Sequence, residues 1–144
     1  ALSMSCAYMV FSPQRDGMIY TPEMSRRARI VELWATLKSM GSNGVSELVD
    51  DLHQKAVYFA EKLLKEGFKI LNEVCFNQVL VSEETSELTA ILLRKLQASG
   101  ELWCGSSEWK GKFVIRLSIC SYRTTLEDID RSVAVFRKAK GEEK

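Results

Sequence analysis

The chain has 144 residues, of which 46% are hydrophobic and 27% charged, and its formal net charge is +1. That length holds one compact domain with a real core, and the composition is that of a globular chain. It does not indicate a broadly basic surface for nucleic acid, leaving room only for a local patch, and the longest apolar run falls far short of a membrane span.

The first segment, "ALSMSCAYMVFSPQRDG", lacks the basic flank and long apolar stretch of a secretory signal. Met4 is internal and the chain opens in mid-phrase, so residues 1–22 read as a connection from something that precedes them. Two prolines and a glycine make 12–22 a loop or linker. Pro22 and Glu23 suit a helix's first turn, with Ile30, Trp34 and Leu37 following at helical spacing up to Gly41. "GSNG" reads as a turn. The next helix carries Val45, Leu48, Val49, Leu52, Ala56 and Phe59 on one face, continued by Ala60 and Leu63, and Gly67 closes it with a left-handed cap.

Two strands are expected next, Phe68–Leu71 and Val74–Val81. "SEETSE" places acids in the first turn of a helix with a Leu88, Ile91, Leu92 and Leu96 stripe, ended by Gly100. Leu102–Cys104 reads as a brief strand and "GSSEWKG" as a hairpin connection. In "GKFVIRLSIC", Phe113, Ile115, Leu117 and Ile119 alternate with Val114, Arg116, Ser118 and Cys120. Thr125 opens the last helix, with Asp128 three residues on as a capping-box variant. Leu126, Ile129, Val133 and Phe136 form its buried stripe. The expected fold is a two-layer α+β domain over 23–144, with a mainly antiparallel sheet of about four short strands and helices on one face.

Arg116 is the first candidate site residue. A guanidinium inside an apolar strand is costly unless it meets an anion or several acceptors, and its planar fork matches a carboxylate in two parallel hydrogen bonds. A structural ion pair or a position on the sheet's wet face is the alternative. Arg26, Arg27 and Arg29 form a cationic helix start, a place for an anion, a partner's acidic patch, RNA or solvent alone. Asn77 and Gln78 interrupt an apolar strand, where buried amides must be hydrogen-bonded, either fixing backbone or lining a cleft. Cys6, Cys75, Cys104 and Cys120 form no C-x-x-C pair and read as buried free thiols in a reducing, cytoplasmic setting. His53 sits beside the apolar helix face as a boundary residue, and no metal site is expected. No phosphate-binding glycine motif or nucleophile elbow is present.

These segments together resemble a known family. "TPEMSRRARIVELWATLKSMGSNGVSELVD", "GFKILNEVCFNQVLV" and "GKFVIRLSICSYRTTLEDIDRSV" are similar, in order and spacing, to the C-terminal domain of the pyridoxal-phosphate-dependent group II amino-acid decarboxylases. "ALSMSCAYMV" looks like the segment that follows that family's cofactor-lysine region. The resemblance implies the aspartate-aminotransferase fold, fold type I, whose small domain closes over the substrate. It implies that Arg116 holds a substrate carboxylate, that a large N-terminal domain is missing, and that the parent is a homodimer acting on a small amino acid. Nothing here matches the family's Schiff-base lysine, pyridine-nitrogen aspartate or ring-stacking histidine. The chain is therefore expected to be inactive alone, with no covalently bound pyridoxal phosphate. The competing reading is a stand-alone α+β dimerisation or small-ligand regulatory module.

Overall fold

Three helices and four strands account for the described part of the chain, residues 27–141 of a computed structural model. They are α1 (Ile30–Lys65), β1 (Lys69–Ile70), β2 (Gln78–Ser82), α2 (Ser86–Ala98), β3 (Gly105–Trp109), β4 (Lys112–Ser118) and α3 (Leu126–Gly141). Two compact units divide between Met40 and Gly41. In the first, residues 27–29 precede the helix, so Arg29 lies outside it rather than within its first turns. At the boundary, Gly41 breaks the helical backbone with φ 65° and ψ −178°. Ser42, Asn43 and Gly44 are already helical again, so the expected four-residue turn shrinks to one residue.

The second unit is an α+β domain. Its sheet is wholly antiparallel, in the order β1-β2-β4-β3. Alternation sends Phe113, Ile115, Leu117 and Ile119 to the side that also receives Val79 and Val81, and the helices cover that side. Leu52, Ala56, Phe59 and Leu63 come from α1, Leu92 and Leu96 from α2, and Ile129, Val133 and Phe136 from α3. Phe136 is fully buried at the centre. Phe59 meets it edge-on at 6.2 Å between centroids and Phe68 does so at 5.4 Å, the arrangement that ring quadrupoles favour. Leu126 is half exposed and drops out of the expected stripe, because it opens the first turn of α3.

Backbone chemistry sets the element ends. The Phe68 N–H reaches the Leu63 carbonyl at 3.1 Å and the Gly67 N–H reaches Leu64 at 3.0 Å, the paired bonds of a left-handed helix stop. Gly67 has φ 78°. At α3 the Thr125 N–H donates to Asp128 Oδ2 at 3.0 Å, and the Asp128 N–H donates to Thr125 Oγ1 at 3.1 Å. The expected capping box is therefore present, with aspartate in the place of glutamate.

Three strand assignments shift. Leu102–Cys104, expected as a brief strand, is irregular backbone ahead of β3. "GSSEW" is not a connection but β3 itself, and the turn is only Lys110–Gly111. Both residues have positive φ, 51° and 73°, the backbone whose twist suits a two-residue hairpin. Val74–Asn77 is not extended strand: it bends, and the ladder begins at Gln78. Glu83 and Glu84 precede α2 and only Glu87 enters its first turn, since Thr85 is the N-cap and accepts from the Leu88 N–H.

A polar clasp joins α1 to α3. Lys62 Nζ stands 2.8 Å from Asp130 Oδ1, and the Tyr58 hydroxyl donates to the same carboxylate at 3.0 Å. The Lys62 bond holds the Asp130 carboxyl below the usual range, and Tyr58 adds to it. The Thr125 backbone and side chain do the same for Asp128. Both carboxylates thus contribute stability in full above their ordinary pKa of 3.8, and that contribution is lost as pH falls through the lower folded values. Lys62 shifts upward, so its share persists below its ordinary 10.5 and is lost as pH rises through the raised folded value.

The denaturant midpoint is accordingly expected to fall as pH drops from about 5 to about 2, and to fall less in the Asp128→Asn/Asp130→Asn double variant. An equal fall in both would refute the assignment. Gly67→Ala should cost about 1–2 kcal/mol in denaturant unfolding, all of it backbone. A Cβ there would meet nothing nearer than Lys140 Nζ at 3.8 Å.

Candidate functional site

Residue parity on β4 decides which side Arg116 takes. Its neighbours Ile115 and Leu117 enter the core, so Arg116 projects from the opposite side of the sheet. In register it lies between Leu80 of β2 and Gly105 of β3. Leu80 and Val114 on that side are buried but stand apart from the core that the helices form. Arg116 itself is exposed, and no carboxylate pairs with it among the described residues. Gln78, opposite Ser118 and one ladder step along, shares this side and is exposed too.

Asn77 does not join them. Its Nδ2 donates to the Ile119 carbonyl at 3.0 Å, and its own carbonyl accepts from the Ile119 N–H at 3.0 Å. The amide therefore fixes backbone, extending the β2–β4 pairing past the last ladder bond. Asn72 does a parallel job that the sequence reading passed over. It accepts from the Leu80 N–H at 2.8 Å and donates to the Gln78 carbonyl at 3.1 Å, holding β2 on the side of β1, past the end of that short strand. The readable signal was an asparagine directly after a short strand, where its side chain bonds nearby backbone.

The arginine cluster disperses. Arg26 lies outside the described residues. Arg27 is paired with Glu32, and Arg29 is exposed ahead of α1. His53 bonds the Val74 carbonyl through Nε2 at 2.9 Å, the boundary position expected of it. Among the described residues no three His, Cys, Asp or Glu side chains group as a metal site, and no helix is long and apolar enough to cross a membrane.

A cavity of about 390 Å³ lies elsewhere, beyond the end of β4 and against the first half of α3. Phe59, Leu117, Ile129 and Val135 form its apolar wall, and Trp103, Arg123 and Glu101 stand at its rim. Neither Arg116 nor any lysine lines it. Lys69 and Lys112 share the sheet side of Arg116, but both are exposed. A lysine that tethers pyridoxal phosphate needs an enclosed pocket that desolvates its amine. This cavity therefore offers no lysine for a covalently held cofactor.

The cysteines split by exposure. Cys104 is buried, and desolvation pushes its thiol up to about 11. Cys75 and Cys120 are exposed, against the expectation that all the thiols are buried, because both lie outside the strands, Cys75 in a bend before β2 and Cys120 past the end of β4. Cys6 lies outside the described residues.

No family model matches the sequence. The chain is 32% identical over 116 residues to a histidine decarboxylase of Drosophila melanogaster, a match that covers 79% of this chain and 14% of the fly protein. Its fold is similar to that of a tryptophan decarboxylase of Catharanthus roseus, solved in complex with L-tryptophan (TM-score 0.74, 21% identity, 81% of this chain and 26% of that one). It is also similar to that of Oryza sativa TDC, solved with PLP and tryptamine (TM-score 0.76, 17% identity, 88% of this chain and 29% of that one). The chain thus spans less than a third of the length of each of these proteins.

Peptide-level alkylation should modify Cys75 and Cys120 in the native protein and Cys104 only on unfolding. Native modification of Cys104 at a comparable rate would contradict its burial.

Proposed function

Because the chain is homologous to the pyridoxal-phosphate-dependent group II amino-acid decarboxylases and has the fold of their small α+β domain, we propose that it is the C-terminal piece of such a carboxy-lyase, inactive alone. The observation that carries the reading is Arg116: a guanidinium with no carboxylate partner among the described residues, on the sheet side turned from the helices. In the parent this side meets the large domain across the substrate cleft. The planar fork receives the carboxylate of a small amino acid in two parallel bonds and holds it as the small domain closes. Gln78, on the same side, is within reach of that cleft as a neutral polar wall.

The lysine and the electron-accepting ring belong to the parent's other residues. The first unit supports a missing covering surface. Ile30 and Trp34 are 67% and 63% exposed on one helix, with Leu37 a turn further on. Apolar side chains clustered this way mark a surface meant for another polypeptide. The parent's large domain is that polypeptide in this reading, and the parent works as a cytoplasmic homodimer.

Replacing Arg116 by leucine in the full-length parent should raise KM for the amino acid roughly 10- to 100-fold while cofactor absorbance stays normal. An unchanged KM removes Arg116 from the site. Borohydride reduction of the isolated chain with pyridoxal phosphate should label no single lysine stoichiometrically. One fully labelled lysine would overturn the claim that the chain is inactive alone.

A further inference from the structure

The cavity beyond β4 carries charges that the fold leaves unused. The Arg123 Nε donates to the Tyr122 hydroxyl at 3.0 Å, and its guanidinium lies 5.5 Å from that ring. Both partners are neutral, and no carboxylate pairs with Arg123 among the described residues. The Glu101 carboxylate likewise has no cation partner among them. Asp128, also in the lining, is already committed to Thr125 and stands 3.5 Å from Arg131. One free cation and one free anion therefore border a single cavity. Trp103, 81% exposed, adds an aromatic face to a lining that also holds Phe59, Leu117 and Val135.

From this arrangement we infer a second small-molecule site, for a zwitterion with an apolar body: a free amino acid with an aromatic or large aliphatic side chain. Its carboxylate meets Arg123, its ammonium meets Glu101, and its side chain lies between Trp103 and the apolar wall. A volume of about 390 Å³ is enough for such a ligand. The site is separate from Arg116, which projects from the other side of the sheet and does not line the cavity. It stands whether or not Arg116 binds a substrate. Because Leu117 and Ile129 are at once cavity wall and domain core, occupancy stiffens the junction of β4 and α3 and so regulates the domain from outside the cleft.

The test is a titration of the ¹⁵N-labelled 144-residue chain with L-phenylalanine, followed by amide and indole shifts. Saturable shifts at Trp103, Arg123 and Ile129 with Kd about 1 mM are expected. N-acetyl-L-phenylalanine, which lacks the ammonium, and L-phenylalaninamide, which lacks the carboxylate, should each bind roughly tenfold more weakly. Arg123→Leu should abolish the preference for the free acid over the amide, and Glu101→Gln the preference for the free amine over its acetyl form. The unmodified chain with the two analogues tests the same two contacts without depending on a variant's folding. No saturation at about 10 mM, equal affinity for all three ligands, or shifts confined to the strand face around Arg116 and Gln78 would each overturn the proposal.

Discussion

The edge-on meeting of Phe59 and Phe68 with Phe136 is the constraint on which the domain's architecture depends. Phe59 belongs to α1, Phe68 to the exit from its C-terminal stop, and Phe136 to α3. Three rings in contact lock the first and last helices of the second unit to the same side of the sheet. Once that side is chosen, strand parity leaves no freedom elsewhere: Ile115 and Leu117 must enter the core, and Arg116 must leave it. A one-residue slip of β4 would turn the guanidinium into the apolar core, at a cost of several kcal/mol for an uncompensated charge. The arginine in an apolar strand is thus a consequence of register, and it costs the core nothing.

Polar groups at the ends of the elements complete what the core begins. Asn72 and Asn77 each replace ladder bonds that a two-residue β1 and a five-residue β2 are too short to supply. The Lys62–Asp130–Tyr58 clasp ties α1 to α3 on the solvent side, where salt screens it and its worth is modest. These groups set alignment, and the apolar residues beneath them supply most of the stabilisation.

Much of this was legible in the sequence because its signals were local. The period-2 run around Arg116, the Gly67 stop and the Thr125–Asp128 box each depend on a few adjacent residues, and each appears where expected. The misreadings have a shared cause. "GSSEW" has the composition of a loop and becomes a strand because β4 beside it supplies the pairing and Lys110 accepts a left-handed backbone. Val74–Asn77 has the composition of a strand and bends because Asn77 spends its amide on Ile119, across 42 residues. Propensity yields to a partner distant in sequence in both cases. The cavity was illegible for the same reason: Phe59, Trp103 and Arg123 come from three separate segments, and no spacing rule connects them.

Strand order also bears on synthesis. The sheet's interior pair is β2 with β4, yet α2 and β3 are translated between them. Val79 and Val81 emerge early and find their neighbours Leu117 and Ile115 only after more than thirty further residues have been made. During that interval β2 offers an unzipped apolar edge, the kind of surface that holdase chaperones recognise and that seeds aggregates when translation stalls. Pausing just before Lys112 would therefore be the most hazardous moment in the birth of this domain.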